Sequence, residues 1–163
     1  MNEASGAHQR LADDKNVVRY VGGSHVTLSP LTGEFEVDAS AFDRTAKDHD
    51  GLSFTERLVL SIDPHRDEDE IRRVLAARRS LGKTARFVEV NVEQAVKALS
   101  VFDNDFYFCE DPLPATTGIP ANPAHVLLKG LPFAGEAIGS LSSEWAGELL
   151  SGIVTRTFPA VAP

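Results

Sequence analysis

The side chains best able to do chemistry lie in the C-terminal half, where Glu110-Asp111-Pro112-Leu113-Pro114 is followed by Asn122-Pro123-Ala124-His125. Proline fixes its own φ, so a carboxylate and an imidazole are carried here on stiffened chain. If the strands holding Cys109 and His125 are neighbours, Asp111 comes within reach of His125, and a carboxylate beside an imidazole can orient a general base. Spacing alone favours the plainer account, in which Asp111 and Asn122 cap turns and His125 is a satisfied strand residue. Asp63, His65 and Asp67 alternate as on one side of an extended segment, and carboxylate, imidazole and carboxylate are metal-ligand types. A strand end followed by a helix cap, with Pro64 setting the turn, is preferred for them, and no metal is assigned.

Nucleophiles are scarce. Cys109 closes the apolar run Phe106-Tyr107-Phe108 and reads as a buried, inert thiol. Ser53, in Gly51-Leu52-Ser53-Phe54-Thr55, lacks the flanking glycine of a nucleophile elbow, so no hydrolase is expected. Gly22-Gly23-Ser24-His25 would let the backbone approach a phosphate, but it matches neither the P-loop nor the dinucleotide fingerprint and reads as a bulge or turn.

These residues need elements to position them. Val17 to Val21 and His25 to Leu28 are β-prone runs, and Pro30-Leu31-Thr32-Gly33 turns the chain into Glu34-Phe35-Glu36-Val37, whose alternation puts Phe35 and Val37 on a buried face. Asp43 to Gly51 is a polar loop, and the apolar run Arg57 to Ile62 predicts a strand. Asp67 predicts a helix start, with Ile71, Val74 and Leu75 as its apolar stripe and Gly82 as its stop. Ala85 to Val90 predicts a strand and Asn91 with Gln94 the start of a second helix. Phe106 to Cys109 and Ala124 to Lys129 predict strands joined by the proline-rich loop. A last helix is expected over 135–151, with Ile138, Leu141, Trp145 and Leu149 inward, and a closing strand over 153–158. The fold class is α+β: a mixed, mostly antiparallel sheet with about three helices, in a single domain over 17–158 between a mobile tail over 1–16 and a short tail over 159–163.

The chain has 163 residues, 42% hydrophobic and 25% charged, which suits one globular core. The net charge of -8 argues against nucleic acid and anionic lipid as partners. Against that average, Arg72, Arg73, Arg78, Arg79, Lys83 and Arg86 form a basic stretch, read as the solvated face of a helix rather than a polyanion site. A single cysteine excludes an internal disulfide, and with no apolar leader or membrane-length run a cytoplasmic location is expected.

Arg19, Ser40-Ala41-Phe42, Gly51-Leu52-Ser53, Glu110-Asp111-Pro112-Leu113-Pro114 and Asn122-Pro123-Ala124-His125-Val126-Leu127-Leu128-Lys129-Gly130, in that order, resemble a family of small bacterial proteins. That family has no assigned activity to carry over, and this chain departs from it by extra residues between Pro114 and Asn122. The chain is also similar, at Arg19 on a first strand before a glycine turn, to the NAD-consuming RES-type toxins, whose later catalytic positions have no counterpart here. That similarity implies a phosphate-binding role for Arg19 through its planar fork of donors. Two functions are carried forward. The first is a non-catalytic interaction protein, an antitoxin, immunity or defence-system component with a protein partner and no cofactor. The second is a small enzyme acting on a nucleotide or NAD-like substrate through Arg19, His25, Asp111 and His125.

Overall fold

Alternating β-branched and aromatic residues build the frame of the protein, which the computed structural model describes over residues 9–163. In chain order the elements are β1 (Asn16–Val21), β2 (Val26–Leu28), β3 (Phe35–Val37), β4 (Leu52–Glu56), α1 (Pro64–Ala76), β5 (Arg86–Asn91), α2 (Val92–Leu99), β6 (Tyr107–Glu110), β7 (His125–Lys129), β8 (Ala137–Ile138), β9 (Leu141–Ser142), α3 (Ser143–Ser151) and β10 (Arg156–Pro159). Six strands form one sheet in the order β10-β5-β1-β4-β7-β6, and β2-β3 and β8-β9 are separate two-stranded ribbons. Each of these strand pairings is antiparallel, and with three helices the class is α+β, as expected.

Strand alternation sends side chains to two faces. One face carries Val17, Phe54, Val88, Phe108 and Leu128 into a core closed by Ala95 and Leu99 of α2 and Ala146 and Leu150 of α3. Burial of each large apolar side chain there contributes about 1.5–3 kcal/mol. On the other face Val18, Phe87 and Phe158 pack under Ile71 of α1, with the Phe87 and Phe158 rings stacked 5.2 Å apart. Beyond β1, on this second face, the end of α1 gives way to a cavity.

Several boundaries differ from expectation, each for an identifiable reason. Of the expected tail, residues 1–8 lie outside the described residues, while residues 9–11 bind the edge of β6: Glu110 N donates to Gln9 O at 2.8 Å and Leu11 N to Phe108 O at 2.9 Å. At the other end, Ala160 is fully buried and donates to Ala85 O at 3.0 Å, so the frame runs past residue 158.

The strand expected at Arg57 to Ile62 does not form: β4 ends at Glu56, immediately before it, and Ile62 is 91% exposed. Arg57 is the cause: its buried guanidinium lies 2.9 Å from Asp67, 3.4 Å from Glu68 and 3.5 Å from Glu89, and the chain leaves the sheet to reach them. Leu58 then sits at φ 65, a left-handed conformation costing an L-residue about 1–2 kcal/mol, offset by its N–H bond to Asp67 Oδ2 at 3.0 Å. Asp67 is therefore a buried ion-pair partner and not the helix cap. That role falls to Asp63, which accepts from His65 N at 3.2 Å ahead of Pro64 at the first helical position. The helix stops at Ala76, before the expected Gly82.

Asn91 caps α2 as expected, accepting from Gln94 N at 3.0 Å. The last helix starts at Ser143 rather than at residue 135, because Gly139, at φ 60, turns the preceding residues into β8-β9. Ile138 and Trp145 are thereby 43% and 44% exposed, Trp145 standing edge-on to Phe102. Phe35 is also exposed rather than buried, and the Arg86 guanidinium lies 3.8 Å from its ring centroid.

Candidate active site

The site grows from the pairing of β4 with β7 and of β7 with β6. Thr55 lies opposite His125 and Ser53 opposite Leu127, so the side chains of Ser53 and His125 leave the same face on a diagonal. Cys109 also lies opposite Leu127, which makes the strands of Cys109 and His125 neighbours, and Asp111 follows directly after β6 with its N–H bonded to His125 O at 2.9 Å.

In this setting Asp111 Oδ2 lies 3.1 Å from His125 Nδ1, and Asp111 O lies 2.9 Å from the same nitrogen. Both partners are acceptors only, so Nδ1 carries the proton. Nε2 then presents its lone pair to Ser53 Oγ, 3.2 Å away, and the hydroxyl donates. Ser53 Oγ thus hydrogen-bonds to His125, whose Nδ1–H bonds to Asp111 O with the Asp111 carboxylate 3.1 Å away, so the tautomer needed for proton abstraction from serine is fixed by the protein. The His125 side chain is 14% exposed and that of Asp111 30%, so the group is sheltered yet reachable.

Arg19 braces the serine from behind. The registered pairs between β1 and β4 are Val17 with Glu56 and Val18 with Thr55, after which β1 follows β5 and β4 follows β7. The Arg19 guanidinium fills the parting, donating from Nη1 to Ser53 O at 3.0 Å and from Nε to Ala41 O at 2.8 Å. Desolvation lowers its pKa to about 10, with Asp48 and Asp43 opposing that shift and the charge of Arg79 adding to it.

A cavity of about 300 Å³ opens over the serine, bordered by Tyr20, Phe54, Leu75 and Leu113 as well as Arg19, Arg78, Arg79, Asn122 and His125. Leu113 and Asn122 exchange backbone bonds at 3.0 and 2.9 Å, folding the proline-rich loop into a small hairpin. Arg78 fastens that hairpin to the end of α1, donating to Pro120 O at 2.9 Å and Pro114 O at 3.2 Å. Asn122 accepts from Ala124 N at 3.1 Å through Oδ1 and borders the cavity. A second, smaller concavity formed with the 47–51 loop also reaches Ser53, Asp111 and His125.

No family model, curated protein or solved structure matches the chain.

Of the residues singled out in the sequence, Arg19, Asp111 and His125 come together. His25 does not: it lies in a short turn with Nδ1 2.9 Å from Ser40 Oγ and does not border the cavity. Arg78 and Arg79 follow α1 and border the cavity rather than forming a solvated helix face. Gly23 is demanded by packing, since a Cβ there would stand 1.9 Å from Thr84 Oγ1. Cys109 is buried, and desolvation raises its thiol pKa. Ser53 is the residue that sequence reasoning set aside; no local motif marks it, and its partner is brought by strand register from 72 positions away.

Proposed function

We propose that the protein is a small serine-dependent enzyme that cleaves or transfers an acyl group. The observation that carries this reading is His125 held between Asp111 at Nδ1 and the Ser53 hydroxyl at Nε2. Ser53 Oγ attacks the carbonyl carbon of an ester while its proton passes to Nε2. Collapse of the tetrahedral intermediate expels the alcohol, which takes that proton. Water or another acceptor, deprotonated by Nε2, then releases the acyl group from the serine. Asn122, which borders the cavity and carries a side-chain amide, is the residue we assign to bind the developing oxyanion. A nucleotide or NAD-like substrate, expected from the sequence, stays within this proposal where its reacting centre is acyl or phosphoryl.

A fluorophosphonate probe tests it, since it modifies serines activated in this way. Labelling is expected at Ser53 and lost in both Ser53→Ala and His125→Ala, with p-nitrophenyl acetate hydrolysis falling in parallel. Equal labelling of the wild type and Ser53→Ala would refute the proposal.

Exposed Leu58, Val59 and Ile62, grouped on the turn after β4, favour the second reading, docking of a protein partner. Serine substitutions at all three positions should then release a co-purifying partner while leaving probe labelling intact.

A further inference from the structure

The net charge of the chain is -8, yet the cavity over Ser53 is bordered by Arg19, Arg78, Arg79 and His125 and, among the described residues, by no acidic side chain. Five of the protein's other arginines are placed differently. Arg10, Arg57, Arg72, Arg73 and Arg156 each lie within 3.0 Å of a carboxylate oxygen. Among the described residues, no ion pair engages the three arginines of the cavity.

Their hydrogen bonds separate their roles. Arg78 is committed to the carbonyls of Pro114 and Pro120 and belongs to the wall. Arg19 uses Nε and Nη1 on backbone oxygens and leaves Nη2 without a protein partner. Arg79 lays its guanidinium 3.9 Å from the Tyr20 ring centroid, an arrangement that occupies its face and leaves its planar edge of donors for another molecule. Tyr20 is itself pinned by accepting a bond from Gly82 N at 2.9 Å, so the platform under Arg79 is fixed. The half-buried Arg19 and the exposed Arg79 border one cavity and repel each other, and an oxyanion between them turns that repulsion into attraction. The remaining wall, Tyr20, Phe54, Leu75 and Leu113, is apolar, and about 300 Å³ is the size of a small-molecule site.

We infer that this cavity binds a small organic anion, a carboxylate or phosphate attached to a compact apolar group, with Arg79 and Arg19 as its donors. The inference rests on the preceding reading only for what happens next: the anchored anion directs the reacting bond of the same molecule to Ser53.

Calorimetric titration of the full-length Ser53→Ala chain with phenyl phosphate, benzoate and benzyl alcohol tests it without needing turnover. At least one of the two anions should bind at least about 10-fold more tightly than the alcohol, and the tighter anion identifies the acid group. Adding Arg79→Met should weaken the anion at least about 10-fold and leave the alcohol unchanged, while Arg79→Lys recovers part of the loss. If Arg79→Met unfolds, Arg19→Lys replaces it, with a smaller loss expected as the fork geometry is degraded. Binding of the alcohol as tight as that of both anions, no binding of either anion, or indifference to the arginine variants would overturn the inference. Anion binding with no fluorophosphonate labelling of the wild type would leave the anion site standing and remove the catalytic reading.

Discussion

Two neighbouring regions of the molecule handle positive charge in opposite ways. Under α1, Arg57 and Arg156 meet Asp67, Glu68 and Glu89 at distances from 2.9 to 3.5 Å, a cluster in which cation and anion are both supplied by the chain. Beyond the end of α1, Arg19 and Arg79 face a cavity with, among the described residues, no carboxylate on its lining. A buried ion pair recovers its desolvation cost only when partners and hydrogen bonds are all in place, so the first cluster has the character of architecture. A group of cations left unmatched in a concavity has the character of a receptor. The same residue type in two neighbouring regions therefore means two things, and what separates them is where the counter-charge comes from.

The largest test of that division lies on the serine side. Asp111→Asn should lower ester turnover by up to about 10⁴-fold, because the imidazolium formed on proton transfer loses its facing carboxylate while Nδ1–H keeps its bond to the backbone oxygen of residue 111. Its urea midpoint should stay close to that of the wild type, and a turnover loss below about 10-fold would make Asp111 a turn residue and nothing more.

Next in size, Arg57→Met leaves the buried Asp67 without a cation, while Glu68 and Glu89 keep Arg156, and should cost about 3–5 kcal/mol in equilibrium unfolding. Arg79→Met, which strands no carboxylate, should cost under about 0.5 kcal/mol. Similar costs for the two would erase the contrast between the regions.

The smallest effect is expected at Glu56, half-buried at the end of β4 between the two regions. Burial raises its carboxyl pKa, Lys15 opposes the shift and Glu110 adds to it. The folded state then holds a proton that the unfolded state has already lost, so stability is fully present below the unfolded value and declines as pH rises through the folded one. With solvent screening the decline should be a few tenths of a kcal/mol, seen as a flatter stability-against-pH curve for Glu56→Gln. An unchanged slope in that variant would show Glu56 to be solvated.

Local signals carried much of the frame. The runs at Val17 to Val21 and Ala85 to Val90, the Asn91 cap and the Ile71 and Val74 stripe all became what their patterns require, because each depends on neighbours three or four positions away. The failures share one cause. Arg57 broke the apolar run behind it because its carboxylates lie 10, 11 and 32 positions on, and such distant charge pairing leaves no periodic trace. Asp111 and His125 were legible as a conditional pair, since their contact needs only that β6 and β7 adjoin. Ser53 was not, because the elbow motif used to exclude it describes a serine on a tight turn, whereas this one is presented by a strand whose neighbour has parted from it.

The tip of the hairpin, from Pro114 to Pro120, is inserted between two strands at the margin of the sheet and is held by Arg78 at both ends. Each doubling of such an insertion costs only about 0.6 kcal/mol in closure entropy, so its length and composition can drift while the frame below stays put. Descendants of this chain could therefore change which molecules are admitted by editing one short stretch, keeping the reacting groups and their scaffold untouched.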